Sequence, residues 1–191
     1  MNKSKIAGIA FNVPDNIVTN HDLEKMMDTT DEWIQTRSGI KERRWVKPGV
    51  ANSDLALPAC QEAIQNAGIS PDDIDAIVVG TVTSDFNFPG MAPIIQQKLG
   101  ISAHVPAYDI SAACSAFIYL LEIGDQYIKS GKYKNILLVG SDIMSTIIER
   151  TPEGRATGVL FGDGSGAVVL QASNDDSGIL STHPVSYTHL T

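Results

Sequence analysis

Residues 107–117 read Ala107-Tyr108-Asp109-Ile110-Ser111-Ala112-Ala113-Cys114-Ser115-Ala116-Phe117, which predicts a strand that runs into a helix with one cysteine at the turn. The apolar positions that follow are spaced as in a helix: Phe117, Leu120, Leu121, Gly124 and Ile128. Gly131 marks the expected end of that helix. Cys114 is therefore predicted to lie in the first helical turn, where free backbone N–H groups and the helix dipole favour the reactive thiolate.

Two interpretations of Cys114 compete at this point. Its small neighbours would let a substrate carbonyl approach the sulfur, and backbone N–H groups at the turn could form an oxyanion hole. The alternative is a buried cysteine that serves as a small apolar core residue. A position beyond the carboxyl end of a strand favours the functional interpretation, because ligands bind there in parallel α/β sheets.

Cys60 is interpreted differently. It lies in a predicted helix over 53–67, on the apolar face that also carries Ala63, Ile64 and Ala67. A cysteine within such a stripe is predicted to be a core residue.

Composition narrows the class of protein. The chain has 191 residues, of which 43% are hydrophobic and 19% charged, and its net charge of −8 argues against nucleic acid as a partner. Two cysteines form no disulfide framework and fit a reducing cytoplasm. Since the sequence has neither a signal peptide nor an apolar run of membrane-spanning length, we expect a cytoplasmic protein without a membrane partner.

The order of the predicted elements indicates an α/β fold with a mostly parallel sheet covered by helices on both faces. The predicted strands are 5–11, 75–83, 105–110, 135–142 and two within 159–172. The predicted shorter helices are 22–27 with Asn20 as its cap, one that opens with a Thr29–Glu32 capping box, and 94–99. The glycine cluster over 161–167 matches no phosphate-binding motif, so it predicts a tight turn or close backbone packing.

Four motifs in order carry a family resemblance. Asp109 to Phe117 resembles the nucleophile turn of the thiolase-like condensing enzymes. Three other stretches are similar to the β-ketoacyl-acyl carrier protein synthase III family: Asp22–Met27 with Thr30–Ile40, Gly140–Asp142, and Leu160–Ala167. The resemblance runs from about residue 5 to His183 and implies the amino-terminal half of a thiolase-like fold.

The resemblance implies an acyltransferase that condenses a short acyl-CoA, such as acetyl-CoA, with malonyl-acyl carrier protein. The product is a 3-oxoacyl-acyl carrier protein, CO2 is released, and fatty-acid biosynthesis begins. Cys114 would carry the acyl group as a thioester, which splits one difficult step into two. No metal and no permanently bound cofactor are implied.

Four further site residues follow from the resemblance. Trp33 matches the tryptophan that stacks on the CoA adenine, Arg155 the arginine on its other face, and Arg37 a residue at the mouth of the CoA site. Phe88 matches the phenylalanine that crosses a homodimer interface and limits the acyl pocket. Without the resemblance, these residues would be interpreted as a core tryptophan, solvated arginines and a loop aromatic.

The sequence departs from the family in two places. The loop from Thr146 to Gly154 is longer than the family's version, and the histidine and asparagine that assist decarboxylation have no counterpart. The four histidines lie in other contexts: His21, His104, His183 and His189. We therefore expect 1–183 to be the amino-terminal domain, the carboxy-terminal half to be absent, and 184–191 to be a foreign tail from a truncated reading frame or a sequencing artefact. Such a chain alone is expected to be inactive.

Two alternatives stay open. One is another condensing enzyme on the same fold, such as a hydroxymethylglutaryl-CoA synthase or a secondary-metabolite starter enzyme, which the loop around Phe88 would distinguish. The other is a non-catalytic half-protein.

Overall fold

A computed structural model describes residues 3–173, 175 and 177–183 of the chain. The predicted foreign tail over 184–191, together with His189, lies outside these described residues.

The described residues form an α/β fold, as predicted. The strands are β1 (Lys3–Asn12), β2 (Ile17–Thr19), β3 (Glu42–Arg44), β4 (Ala76–Gly80), β5 (Ala107–Ile110), β6 (Asn135–Ile143) and β7 (Asp163–Ser173). The α-helices are α1 (Asn20–Glu24), α2 (Asp31–Ser38), α3 (Asn52–Asn66), α4 (Met91–Leu99), α5 (Ala116–Lys129) and α6 (Arg155–Gly158). Short 3-10 turns cover Pro71–Asp73, Ala113–Ser115 and Met144–Thr146. No helix in the described ranges has the length and apolar character that a membrane crossing requires.

The main sheet has the strand order β1-β7-β6-β4-β5. β4 is parallel to both β5 and β6, whereas β7 is antiparallel to both β6 and β1. Four of the five strands therefore share one direction, and the predicted mostly parallel sheet is confirmed. The near-continuous apolar runs of β4 and β6 arise because both faces of these strands are buried.

The prediction of two strands within 159–172 is wrong. This segment contributes one strand, β7, which begins at Asp163 and is paired along both edges. Gly164 and Gly166 lie inside the strand, so the predicted tight turn is absent there. Gly162 fits the other prediction, close packing, since a Cβ there would lie 3.2 Å from the Arg43 Cβ and the Arg44 carbonyl oxygen.

Helices α3 and α4 cover one face of the sheet, and α5 covers the other. Gly8 lets β1 approach α3, because a Cβ there would lie 2.0 Å from the Ala63 carbonyl oxygen. Cys60 is fully buried on this side, as predicted, and burial raises its pKa to about 12. On the α5 side, the face of β1 that carries Ile9 and Phe11 is exposed.

A small module packs above the sheet and contains β2, α1, α2 and β3. Its core consists of Val18, Leu23, Met27, Ile34, Trp45 and Val159. Both predicted N-caps are wrong by one residue, since the caps are Thr19 and Thr30, and α1 spans Asn20–Glu24 and not 22–27. Asn20 does not cap the helix because its side-chain oxygen accepts from the Arg43 guanidinium (2.8 Å), while its amide nitrogen donates to the Asp31 carboxylate and to the Ile40 carbonyl.

Candidate active site

Cys114 lies between the end of β5 and the start of α5, in the 3-10 turn Ala113–Ser115. Its thiol is free and exposed, which excludes the interpretation of Cys114 as a core residue. The sequence predicts Cys114 in the first turn of the α-helix. In the structure α5 begins at Ala116, so the cysteine lies just before the helix. Ala113 has a φ of +44°, a left-handed conformation that is costly for a residue with a side chain and that concentrates at functional sites.

The Cys114 turn borders a cavity of about 210 Å³. Its lining residues are Gly80, Ala113, Cys114, Ala116, Phe117, Gly140, Ser141, Asp142, Gly162 and Gly164. Gly80 ends β4, and a Cβ at this position would lie only 2.8 Å from the Ala116 Cβ. Glycine at this strand end thus lets the start of α5 lie directly on the sheet and bring the thiol to the carboxyl ends of the parallel strands, where α/β sheets bind ligands.

Asp142 fixes the wall of this cavity. Its carboxylate accepts hydrogen bonds from the hydroxyls of Thr81 (3.0 Å) and Thr83 (2.7 Å) in the segment that follows β4. Behind it, the Asn52 amide donates to the Ser141 carbonyl (2.9 Å), and the Ser141 hydroxyl donates back to Asn52 (2.6 Å). Sequence reasoning missed this buried network. The motif Gly140–Asp142 pointed to the place without indicating what the polar side chains do.

Asp109 connects the Cys114 strand to the loop that carries Phe88. Its carboxylate accepts from the backbone N–H groups of Met91 (2.5 Å) and Ala92 (2.8 Å), at the start of α4. This tertiary cap explains why α4 begins at Met91 and not at Ile94 as predicted. Phe88 itself is 90% exposed and is not among the residues that line the Cys114 cavity.

Trp33, Arg37 and Arg155 are brought together, although Arg155 is distant from the other two in sequence. The guanidinium carbons of Arg37 and Arg155 lie 4.4 Å and 5.0 Å from the centroid of the Trp33 ring. Arg155 also donates to the Asp28 carbonyl (2.7 Å). The interpretation as a core tryptophan applies to Trp45, which is buried, whereas Trp33 is half-buried and flanked by two cations.

The histidines of the described ranges do not line the Cys114 cavity. The imidazole of His21 is 3.2 Å from the Glu24 carboxylate at the surface. Within the described part of the chain, no group of three His, Cys, Asp or Glu side chains is arranged to hold a metal ion.

Comparison with known proteins finds similarity to 3-oxoacyl-[acyl-carrier-protein] synthase III proteins along most of the chain. The profile described as 3-Oxoacyl-[acyl-carrier-protein (ACP)] synthase III matches residues 108–187. Beta-ketoacyl-[acyl-carrier-protein] synthase III 1 of Bacillus anthracis is 49% identical over 176 residues, which cover 92% of this chain and 56% of that protein. The protein of the same name from Vibrio vulnificus is 50% identical over 180 residues, with coverages of 94% and 56%.

Solved structures support the same assignment. The 3-oxoacyl-[acyl-carrier-protein] synthase III of Aquifex aeolicus matches with a TM-score of 0.86 at 47% identity, over 90% of this chain and 55% of that one. The priming beta-ketosynthase of the R1128 polyketide pathway matches with a TM-score of 0.85 at 32% identity, over 90% and 51%. The chain thus spans about half the length of the relatives it matches.

Proposed function

Because the chain belongs to the 3-oxoacyl-[acyl-carrier-protein] synthase III family, we propose that it is the amino-terminal portion of an acyltransferase that condenses a short acyl-CoA with malonyl-acyl carrier protein. The observation that carries this proposal is the exposed Cys114 thiol on a strained turn above a glycine-lined cavity. The reaction releases CO2, yields a 3-oxoacyl-acyl carrier protein, and begins fatty-acid biosynthesis in the cytoplasm.

In the first half-reaction, the Cys114 thiolate attacks the carbonyl carbon of the acyl-CoA thioester. A new C–S bond forms, the bond to the CoA sulfur breaks, and CoA leaves as a thiol after it takes up a proton. We assign the stabilisation of the negative charge that develops on the carbonyl oxygen to the backbone N–H groups of Ala113 and Cys114, since the Ser115 N–H donates to the Ala112 carbonyl (3.1 Å). The strained turn holds these donors in place before the substrate arrives.

In the second half-reaction, malonyl-acyl carrier protein loses CO2, and the resulting carbanion attacks the acyl-Cys114 carbonyl. The Cys114 thiolate is released as the new carbon–carbon bond forms. We assign the groups that stabilise the developing enolate to the part of the relatives that this chain does not cover, since none of the described histidines lines the Cys114 cavity. The domain formed by 1–183 supplies the nucleophile in this division of roles.

The cluster of Trp33, Arg37 and Arg155 is the proposed binding site for the adenine end of the acyl-CoA. The indole and the Arg155 guanidinium offer two flat faces for a planar base. Their separation of 5.0 Å is shorter than an intervening ring requires, so Arg155 has to move outward when adenine binds. No permanently bound cofactor takes part in this mechanism.

The degree of similarity favours the fatty-acid starter reaction over the other condensing enzymes of this fold. Identity is 49% and 50% to the synthase III relatives from Bacillus anthracis and Vibrio vulnificus and 32% to the priming ketosynthase of a polyketide pathway, while one solved synthase III structure is 28% identical. We also propose a homodimer, with the loop 84–93 at its interface, because Phe86 and Phe88 are both exposed there.

The test is a condensation assay of the full-length gene product with acetyl-CoA and malonyl-acyl carrier protein. Cys114→Ala is expected to lower kcat by about a thousandfold or more, because the covalent route is lost. Cys60→Ala is the matched control, since it removes the other thiol far from the cavity. Condensation by Cys114→Ala at the rate of the Cys60→Ala control would contradict the proposal.

A further inference from the structure

Arg43 is a buried cation in the middle of the module that carries Trp33. Its side chain is 6% exposed, and its three hydrogen bonds go to neutral oxygens. One terminal nitrogen donates to the Val18 carbonyl (3.2 Å), and the other donates to the Asn20 side-chain oxygen (2.8 Å) and to the Val159 carbonyl (3.0 Å). The Arg43 Nε is buried without a hydrogen-bond partner.

The contact with Asn20 leads to α2. The Asn20 amide donates to the Asp31 carboxylate (2.9 Å) at the first residue of α2 and to the Ile40 carbonyl (2.7 Å) just beyond its end. Arg43 therefore reaches both ends of the helix that carries Trp33 and Arg37 through one intervening side chain.

The contact with Val159 leads to α6. Val159 directly follows this helix, whose first residue is Arg155. The Arg43 guanidinium thus bridges the two segments whose side chains meet at the Trp33 ring. The Arg43 Cβ also lies close to Gly162, which lines the Cys114 cavity.

We propose that Arg43 is a positioning residue that holds α2 and α6 at the separation at which Trp33 and Arg155 bind the adenine of acyl-CoA. The inference rests on the proposed function. A buried charge is costly to desolvate, and an apolar side chain could fill the same space at lower cost. One guanidinium nitrogen donates to oxygens of both segments at once, which no apolar side chain can do, and the bond from the other nitrogen to the Val18 carbonyl fixes its orientation.

The test compares two acyl donors in the full-length gene product: acetyl-CoA, and acetyl-pantetheine, which lacks the adenosine end. Arg43→Met is expected to lower kcat/KM for acetyl-CoA by about tenfold or more through misplacement of the adenine site. The same variant should leave kcat/KM for acetyl-pantetheine within about twofold of wild type. Arg43→Lys keeps the charge but lacks the second nitrogen, whose bond to the Val18 carbonyl fixes the orientation of the first. A loss of kcat/KM for acetyl-CoA relative to acetyl-pantetheine is therefore expected in this variant as well.

Arg44→Met is the matched control. Arg44 is the next residue of β3, is half-buried, and donates to the carbonyls of Pro14 and Asp15, which lie outside α2 and α6. The Arg44→Met variant should leave unchanged the ratio of kcat/KM for acetyl-CoA to kcat/KM for acetyl-pantetheine. Equal losses with both donors in Arg43→Met and Arg43→Lys, from misfolding or otherwise, would overturn the positioning role.

Trp33→Ala separates this inference from the proposed function on which it rests. If wild type prefers acetyl-CoA and Trp33→Ala loses that preference, the adenine site at Trp33 is supported. The Arg43 variants then test the positioning role of Arg43. If Trp33→Ala keeps the preference, the adenine site itself is misplaced and the inference falls with it.

Discussion

The two cysteines differ in their exposure and in their surroundings. Cys114 is exposed on a strained turn beside a cavity, whereas Cys60 is fully buried between α3 and the sheet. Burial raises the pKa of Cys60 to about 12, because the apolar core cannot solvate a thiolate. The Cys60 thiol therefore stays protonated and unreactive near neutral pH in the native state.

We therefore predict that Cys114 alkylates far faster than Cys60 when the folded protein is treated briefly with iodoacetamide near neutral pH. Mass spectrometry of the two cysteine peptides measures the ratio, and a denatured sample provides the control in which both thiols react. Equal labelling of both cysteines in the folded protein would remove the physical basis for assigning the nucleophile to Cys114.

At the scale of single residues, sequence reasoning found the side chains whose chemistry is carried by residue type and local position. Cys114 and Cys60 were separable because one lies at a strand-to-helix turn and the other in an apolar helix stripe. Arg43, Asn52 and Asp142 were not found, since their importance lies in hydrogen bonds to residues distant in sequence. Nothing in local spacing indicates such partners.

At the scale of elements, the module that carries Trp33 depends on carboxylates at its helix ends. Hydrogen bonds from the Lys25 and Thr19 side chains lower the pKa of Asp22, and a bond from the Asp31 N–H lowers that of Glu24. Side-chain hydrogen bonds from Asn20 and Gln35 lower the pKa of Asp31. Stability from these groups is complete above their unfolded pKa values, about 4, and is lost as the pH falls through the lowered folded values.

We predict that the module loosens on acidification below about pH 4, before the sheet core unfolds. Both tryptophans of the 191-residue chain, Trp33 and Trp45, belong to this module, so tryptophan fluorescence reports on it, and far-UV circular dichroism follows the whole fold. Asp31→Asn removes one of the carboxyl groups whose protonation drives this transition, so the variant should show a smaller change in fluorescence between pH 5 and the acid end point. A fluorescence change centred above pH 5, or coincident with the dichroism change, would count against this account.

Element boundaries show where sequence patterns reach their limit. The buried strands β4 and β6 and helix α3 were predictable because their apolar patterns are dictated by burial on the sheet. The start of α4 was not, because its cap is Asp109, supplied by a strand that follows it in the chain. The single strand β7 was misread as two because its glycines border a cavity and do not form a turn.

At the scale of the whole molecule, apolar surface remains on two sides of the described residues. Ile6, Ile9 and Phe11 are exposed on the α5 side of β1, and Phe86 and Phe88 are exposed in the loop before α4. The first patch borders a groove of about 650 Å³ beside Phe117. Apolar patches of this kind are typical of surfaces that pack against further protein.

We predict that the full-length gene product is a homodimer and that Phe88→Glu raises its dissociation constant by about tenfold or more, because a charge would be buried at the interface. Leu180→Glu is the matched control, since Leu180 is 94% exposed and lies outside the loop. Sedimentation at micromolar concentration measures the change. A monomeric wild-type protein would contradict the interface and the assignment of Phe88 together.

The central claim is that Cys114 carries the acyl group, and the most direct measurement is the site of covalent acylation. The full-length gene product is incubated with acetyl-CoA in the absence of malonyl-acyl carrier protein, so that the first half-reaction stops at the thioester. Peptide mass spectrometry should then find one hydroxylamine-sensitive acetyl group on Cys114, retained in Cys60→Ala and absent in Cys114→Ala. Acetylation that persists in Cys114→Ala, or that maps to another side chain, would contradict the account.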